Sequence, residues 1–154
     1  MTVITSTGTK FSVVRGAPAT VDAAGFGALS FVEVGEVTDL PEYGPTVQVV
    51  EHNPLATGVT EKYKGFINYG SQSVGLGWDV ADAGQAILSA GVTGAGQNDP
   101  HSVKIEYQDG SLDYYVCGIF SYTKNPGSAN QIVGSTVQVE INSVVVNVPA
   151  GSGS

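Results

Sequence analysis

The chain is expected to fold as an all-β, mainly antiparallel domain. Two sheets pack in a sandwich-like barrel, flanked by one α-helix and carrying a long loop or arm. Three observations predict this. Twenty-one glycines among 154 residues, with abundant valine, threonine and serine, favour strands joined by many turns. The second half alternates apolar and polar residues with period two. Only one stretch, "WDVADAGQAILSAG", carries a helical period. The length suits one domain with a real core and is too short to expect two. The expected domain spans 1–148, and 149–154 ("PAGSGS") is a tail of flexible-linker composition.

Taken in order, residues 11–14 and 31–34 read as short strands, joined by 15–30, which shows no clear periodicity. Residues 38–58 hold Pro41, Pro45 and Pro54 between polar gaps. They read as an arm with a short strand at 46–50; so long a loop inside a domain suggests contact with a partner. Residues 59–68 and 71–78 flank "NYG" and read as a hairpin. In the second of these strands Val74, Leu76 and Trp78 share one face, and Gly75 and Gly77 leave room for a close neighbour on the other.

The helix is expected at about 80–90. Asp79 fits its N-cap and Asp82 its first turn, where carboxylates meet free N–H groups and the positive end of the dipole. Val80, Ala83, Ile87 and Ala90 would form the buried stripe, with Gly91 at the end. Residues 102–107 and 112–123 flank "QDGS", a strong hairpin signal in which both Asp-Gly residues could take φ > 0. The return strand is apolar on both faces and should be covered on both. In 135–142, Val137, Val139 and Ile141 point inward and Gln138, Glu140 and Asn142 outward; the alternation then shifts near Ser143.

A net charge of −8, from 14 acidic and 6 basic residues, argues against a sequence-independent nucleic-acid binder, which needs Lys/Arg to displace phosphate counterions. Charged residues make up only 13%, so much of the surface is expected to face other subunits. No stretch is apolar for long enough to span a bilayer, and the start lacks the pattern of a secretory signal. Cys117 is the single cysteine, in the apolar run "YYVCGIF", and is expected to be a buried, inert thiol. His52 and His101 are read as exposed loop residues without a catalytic task. No nucleophile elbow, zinc or calcium spacing or phosphate loop appears, and Glu61 with Glu106 is a carboxylate pair without positional support. The expectation is a protein that is not an enzyme and needs no cofactor or metal.

Four stretches, in this order, resemble the tail tube proteins of long-tailed, lambda-like bacteriophages. They are "ATVDAAGFGALSFVEVGEVTDL", "HNPLATGVTEKYKG", "DVADAGQAILSAG" and "YTKNPGSANQIVGSTVQVEINS", and they run through most of 11–143. The resemblance implies the tail-tube fold and a structural virion protein. Six copies would form a ring whose inner sheets join into a barrel. Rings would stack into a hollow tube around a tape measure protein, end on tail terminator and distal tail proteins, and later pass double-stranded DNA without binding it specifically. It implies a place in the virion, in host cytoplasm during assembly, with no membrane partner. On this view Gln138, Glu140 and Asn142 are candidates to face the lumen, where acid and amide groups let DNA slide. Asp39, Pro41, Glu42, Tyr43 and Pro45 are candidates for stacking between rings. Lys62 and Lys64 would sit outside or in ion pairs between subunits. Two alternatives stand beside this reading. One is a β-sandwich adhesin or carbohydrate-binding module using Tyr107, Tyr114, Tyr115 and Tyr122. The other is a related tube or baseplate-hub protein of a contractile system.

Overall fold

In the computed structural model, which describes residues 3–150, ten strands and two helices follow one another. The strands are β1 (Lys10–Arg15), β2 (Val32–Glu33), β3 (Val37–Asp39), β4 (Thr46–His52), β5 (Glu61–Asn68), β6 (Ser71–Gly77), β7 (His101–Glu106), β8 (Leu112–Asn125), β9 (Gly134–Ile141) and β10 (Val146–Val148). The helices are α1 (Ala23–Gly27) and α2 (Ala83–Thr93). The architecture is mainly antiparallel β, as expected. One sheet runs β2-β1-β7-β8-β9-β6-β3, with β10 added to β8, and β4 and β5 form a second sheet by themselves.

The inward residues of the large sheet are those the alternation assigns. Val103, Val137 and Val139 are fully buried, and Ile105 and Ile141 nearly so, with Phe11, Val13, Val74, Tyr115 and Cys117 between them. Strand β8 is the spine. Its 14 residues pair with β7 over Leu112–Cys117 and with β9 from Cys117 onward, while β10 lies against Leu112–Tyr114. The break expected near Ser143 is where the chain leaves β9. There Val116 N–H donates to Ser143 Oγ at 2.9 Å in place of a ladder partner.

The expected cover on both faces of β8 is met within the chain as far as Val116. The core lies on one side. On the other, α1 brings buried Phe26 onto Tyr114, rings stacked 5.0 Å apart, beside Val148. This helix lies inside 15–30, where no periodicity showed it: five residues are too few to display one. Its signal is a cap, Asp22 accepting from Gly25 N–H at 2.7 Å. Beyond Val116 the cover ends, and Phe120, at a bulge, stands 65% exposed.

Two strand pairings depart from expectation. Residues 59–68 and 71–78 do not form a hairpin. Strand β5 turns back on β4, while β6 pairs with β9 and, over Gly75 and Leu76, with β3. The cause lies in "NYG": Asn68 Oδ1 accepts from Gly70 N–H at 2.8 Å, and Gly70 at φ 94 turns the chain from one sheet into the other. The room left by Gly75 and Gly77 is taken by β3 and the turn before it. A Cβ on Gly75 would lie 3.3 Å from that of Asp39, and one on Gly77 3.5 Å from that of Glu36. The β7–β8 hairpin forms as expected but with a different turn. Tyr107 O accepts from Gly110 N–H and Ser111 O from Tyr107 N–H, and only Gly110 takes positive φ, as in a three-residue loop with a glycine bulge.

Helix α2 starts one turn later than expected. Its N-cap is Asp82, whose carboxylate accepts from Gln85 N–H at 2.9 Å. Asp79 caps no helix; it closes a small turn by accepting from Ala81 N–H at 3.0 Å. Asp82 wins because its other bond, from Gly35 N–H at 3.1 Å, ties the helix start to the β2–β3 turn. The buried stripe is also shifted, to Gly84, Gln85, Leu88 and Gly91; of the expected stripe Ile87 and Ala90 are half-buried, Val80 and Ala83 are exposed, and Gly94 takes the C-cap. Backbone approach explains the shift. A Cβ on Gly84 would fall 2.7 Å from Val34 Cα, and one on Gly91 2.8 Å from Ile119 Cδ1, so glycines, not Val or Ala, mark the face laid on the sheet. Of the expected tail 149–154, residues 151–154 lie outside the described residues.

A candidate assembly surface

The β4–β5 hairpin stands apart from the core. Every residue of β4 is exposed, and in β5 only Gly65 is not. Cross-strand pairs place Val50 opposite Tyr63 and Val47 opposite Ile67 on one face; Val49 opposite Lys64 and Glu51 opposite Lys62 share the other with Phe66. The first face is apolar up to the His52–Glu61 pair at its end, with Tyr63 56% and Ile67 55% exposed; the second mixes apolar groups with Lys62, Lys64 and Glu51, with Phe66 85% exposed. A Cβ on Gly65 would press 2.9 Å from Val50 Cγ2, so glycine lets the two strands close at the bulge in β4. A lone two-stranded ribbon is marginal in water, and one with apolar groups on both faces lacks a cover.

The hairpin grows from a fastened root. Of the stacking candidates in 38–45, Asp39 ends β3, opposite Gly75. Pro41 O accepts from the buried Gln72 side chain at 2.8 Å, and Gln72 Oε1 accepts from Tyr115 Oη at 2.7 Å. Tyr43 and Tyr107 hydroxyls bond to each other and to Asp113 Oδ2, whose Oδ1 accepts from Asn147 Nδ2 at 2.8 Å. Burial, reinforced by the bond to Asp113, raises the Tyr43 hydroxyl well above the ordinary tyrosine range. Tyr43 is therefore a clasp on the body. Glu42 and Pro45 line a shallow hollow beside it with Val145. The expected arm 38–58 is thus four pieces: an edge strand, this clasped root, the projecting β4 and part of the loop that joins β4 to β5.

The lumen candidates form part of a polar ladder on the sheet face away from the core. Ser73 Oγ donates to Gln138 Oε1, and Gln138 Nε2 donates to Glu140 Oε2 at 2.8 Å. Ser71 lies opposite Glu140, and Gly118 flanks it from β8. Asn142 lies beyond the end of β9 and is exposed. Period-two reading finds this ladder, but not Gln72 and Gln85, the buried amides that bind the elements together. Gln72 had a usable signal, since it shares the face of Val74 and Leu76.

Groups suited to chemistry stay apart. His52 is exposed at the end of β4, whereas His101, expected in an exposed loop, is 1% exposed as the first residue of β7. Its Nδ1 faces Asp99 O at 3.2 Å, and burial, aided by nearby Arg15, lowers its pKa. Arg15 in turn bonds Asp99 Oδ2 through Nε at 2.6 Å. Burial pushes the Cys117 thiol up to about 12, as an inert cysteine requires. Glu61 and Glu106 sit on different sheets. Among the described residues, no cluster of three or more His, Cys, Asp or Glu could hold a metal ion, and no helix is long and apolar enough to cross a membrane. Of the tyrosines considered as a sugar platform, Tyr114 and Tyr115 are buried and Tyr107 is engaged by Asp113.

No family profile and no curated protein matches the chain. Solved structures do. A chain from the anti-feeding prophage baseplate, determined with sixfold symmetrisation, superposes with a TM-score of 0.67 at 10% identity, covering 98% of this chain and 99% of the other. A chain from the sheath/tube terminator of an extracellular contractile injection system gives 0.63 at 10%, covering 97% and 99%. A chain from the tail of an empty gene transfer agent particle, refined helically with sixfold symmetry, gives 0.61 at 13%, covering 80% and 90%. The chain has the fold that components of phage-like tails and contractile injection particles share.

Proposed function

We propose that the protein is a structural subunit that assembles with copies of itself into rings, six to a ring, and that the rings stack into a hollow tail tube. The observation that carries this is the β4–β5 hairpin, a two-stranded ribbon with apolar groups in water on both faces. Such a ribbon gains stability only when both faces are covered, and an assembly of identical copies covers it repeatedly. In this reading Asp39, Pro41, Glu42, Tyr43 and Pro45 form the root that aims the hairpin at the next ring. The Ser73–Gln138–Glu140 ladder, with Asn142 beyond it, lines the lumen. A surface of amides, hydroxyls and a carboxylate repels phosphate weakly and evenly, so double-stranded DNA passes without sticking. A tape measure protein occupies the lumen during assembly, and terminator and distal tail proteins close the ends. The fold's occurrence in contractile injection particles supports a second reading, a tube or terminator subunit of a contractile system.

Negative-stain electron microscopy of the concentrated protein tests the proposal. The wild type should give rings or hollow tubes of even width. The variant Tyr63→Ser/Ile67→Ser, which alters exposed side chains and spares the root, should stay monomeric with an unchanged thermal melt. A wild type that stays monomeric at every concentration, or a variant that forms normal tubes, overturns the reading.

A further inference from the structure

The β4–β5 ribbon meets the body at a narrow waist. On the way in, the chain passes from half-buried Gly44 to exposed Pro45; on the way out, from exposed Asn68 to half-buried Tyr69. The first cross-strand pair of the ribbon, Thr46 opposite Asn68, stands just above that line. Just below it the two legs touch through glycines. Gly44 lies at φ 145 and Gly70 at φ 94, and a Cβ on Gly70 would fall 2.6 Å from Gly44 O. Both angles suit glycine, whose backbone moves among conformations that other residues rarely reach. The body side of the waist is pinned, Pro41 O by the Gln72 side chain at 2.8 Å and Gly70 O by Ile141 N–H at 2.9 Å. The ribbon side is not. Among the described residues, no backbone hydrogen bond and no ion pair ties 46–67 to the body.

What fixes the ribbon's direction sits one residue before the first glycine. The Tyr43 hydroxyl donates to Asp113 Oδ2 and bonds the Tyr107 hydroxyl, and its ring tilts against Tyr115 with centroids 5.8 Å apart. The ring is not sealed in place. Open hollows flank it, one of about 220 Å³ toward Ser6, Thr9 and Ile105, the other of about 480 Å³ toward Pro45 and Val145. On the leaving leg Tyr69 adds a half-buried ring resting on the core, and such apolar contact has no fixed direction. We propose that Gly44 and Gly70 form a two-legged hinge and that the Tyr43 hydroxyl is its latch. Opening the latch lets the β4–β5 ribbon turn as one unit while the large sheet stays as it is. A latched ribbon is offered in one direction; an unlatched one is re-aimed by whatever it docks against. The device belongs to the single chain and stands whether or not copies assemble.

Distances between nitroxide spin labels, measured by double electron–electron resonance on the dilute, monomeric full chain, test it. Lys62→Cys with Ser89→Cys places one label on the ribbon and one on α2, and Cys117, 1% exposed, takes none. The otherwise native chain should give one narrow distance. Tyr43→Phe keeps the ring and removes the hydroxyl, and should at least double the width of the distribution. Asp113→Ala, which removes the receiving carboxylate from β8, should do the same. A second label pair, Thr46→Cys with His52→Cys, lies wholly on β4. It should stay equally narrow in all three chains, as a ribbon that turns intact requires. A variant as narrow as its parent, or a parent already as broad as the variants, overturns the latch. Broadening within β4 means that the ribbon frays, and overturns the hinge.

Discussion

At the scale of residues, burial and capping decide behaviour more than chemistry does. His101 is the clearest case. Its folded pKa lies below the ordinary 6.5, chiefly because the ring is buried. The unfolded chain therefore takes up a proton more readily than the folded one, and stability present above about pH 6.5 is lost as pH falls through the depressed folded value. Urea denaturation at pH 8 and pH 5 should show the loss, and His101→Gln should flatten that dependence. The two aspartates at the start of α2 are a second case. Asp82→Ala removes bonds to Gln85 N–H and Gly35 N–H and should cost about 1–2 kcal/mol, while Asp79→Ala should cost less than about 0.5 kcal/mol, both read by thermal melts. Sequence spacing fits either residue to the cap. What separates them is the contact with Gly35, 47 positions away, which no local pattern contains.

At the scale of elements, a buried amide joins Asp82 in fixing α2 to the sheets. Gln85 Nε2 donates to Gly77 O at 2.8 Å and Gly35 O at 3.1 Å; its Oε1 accepts from Asp79 N–H at 3.0 Å and Tyr122 Oη at 3.1 Å. Gln85→Leu keeps the bulk but strands these buried partners, so it should cost on the order of 3 kcal/mol in equilibrium denaturation. Tyr122→Phe removes a single bond and should cost about 1 kcal/mol. A pattern that sorts residues as apolar or polar places a glutamine on the water side, which explains why Gln85 was illegible. The strands were more legible. Alternation located β7 and β9 because each has one face in a core, and Asp-Gly announced the β7–β8 turn and with it the doubly apolar return strand β8. It failed for the partners of β5 and β6, since pairing between sheets depends on the turn at Gly70 and not on the pattern of either strand.

At the scale of the whole molecule, stability is uneven by design of the chain. The large sheet has its core, two helices and a spine strand, whereas β4 and β5 are held mainly by each other. Hydrogen exchange of the free subunit should therefore show fast exchange across 46–68 and slow exchange in β7, β8 and β9. In assembled protein the 46–68 amides should become protected; hairpin amides equally fast in both states would show that this ribbon stays uncovered. The low proportion of charge in the sequence pointed to buried contacts with other copies, but composition has no address. Only the fold shows that most of the uncovered apolar groups collect on the β4–β5 hairpin.

A hairpin that each copy seats on an unlike surface of the next gives any filament built through it a direction. Each copy then offers its hairpin on one side and receives another's on a different one, so every copy points the same way. One tip of the filament then always presents empty hairpins, and the opposite tip always presents bare receiving surfaces. Growth at the two tips need not run at the same rate, and a protein shaped to arrest one cannot arrest the other. Length control for such a polymer requires two unlike stoppers, each a mimic of the half of the contact that its own tip lacks.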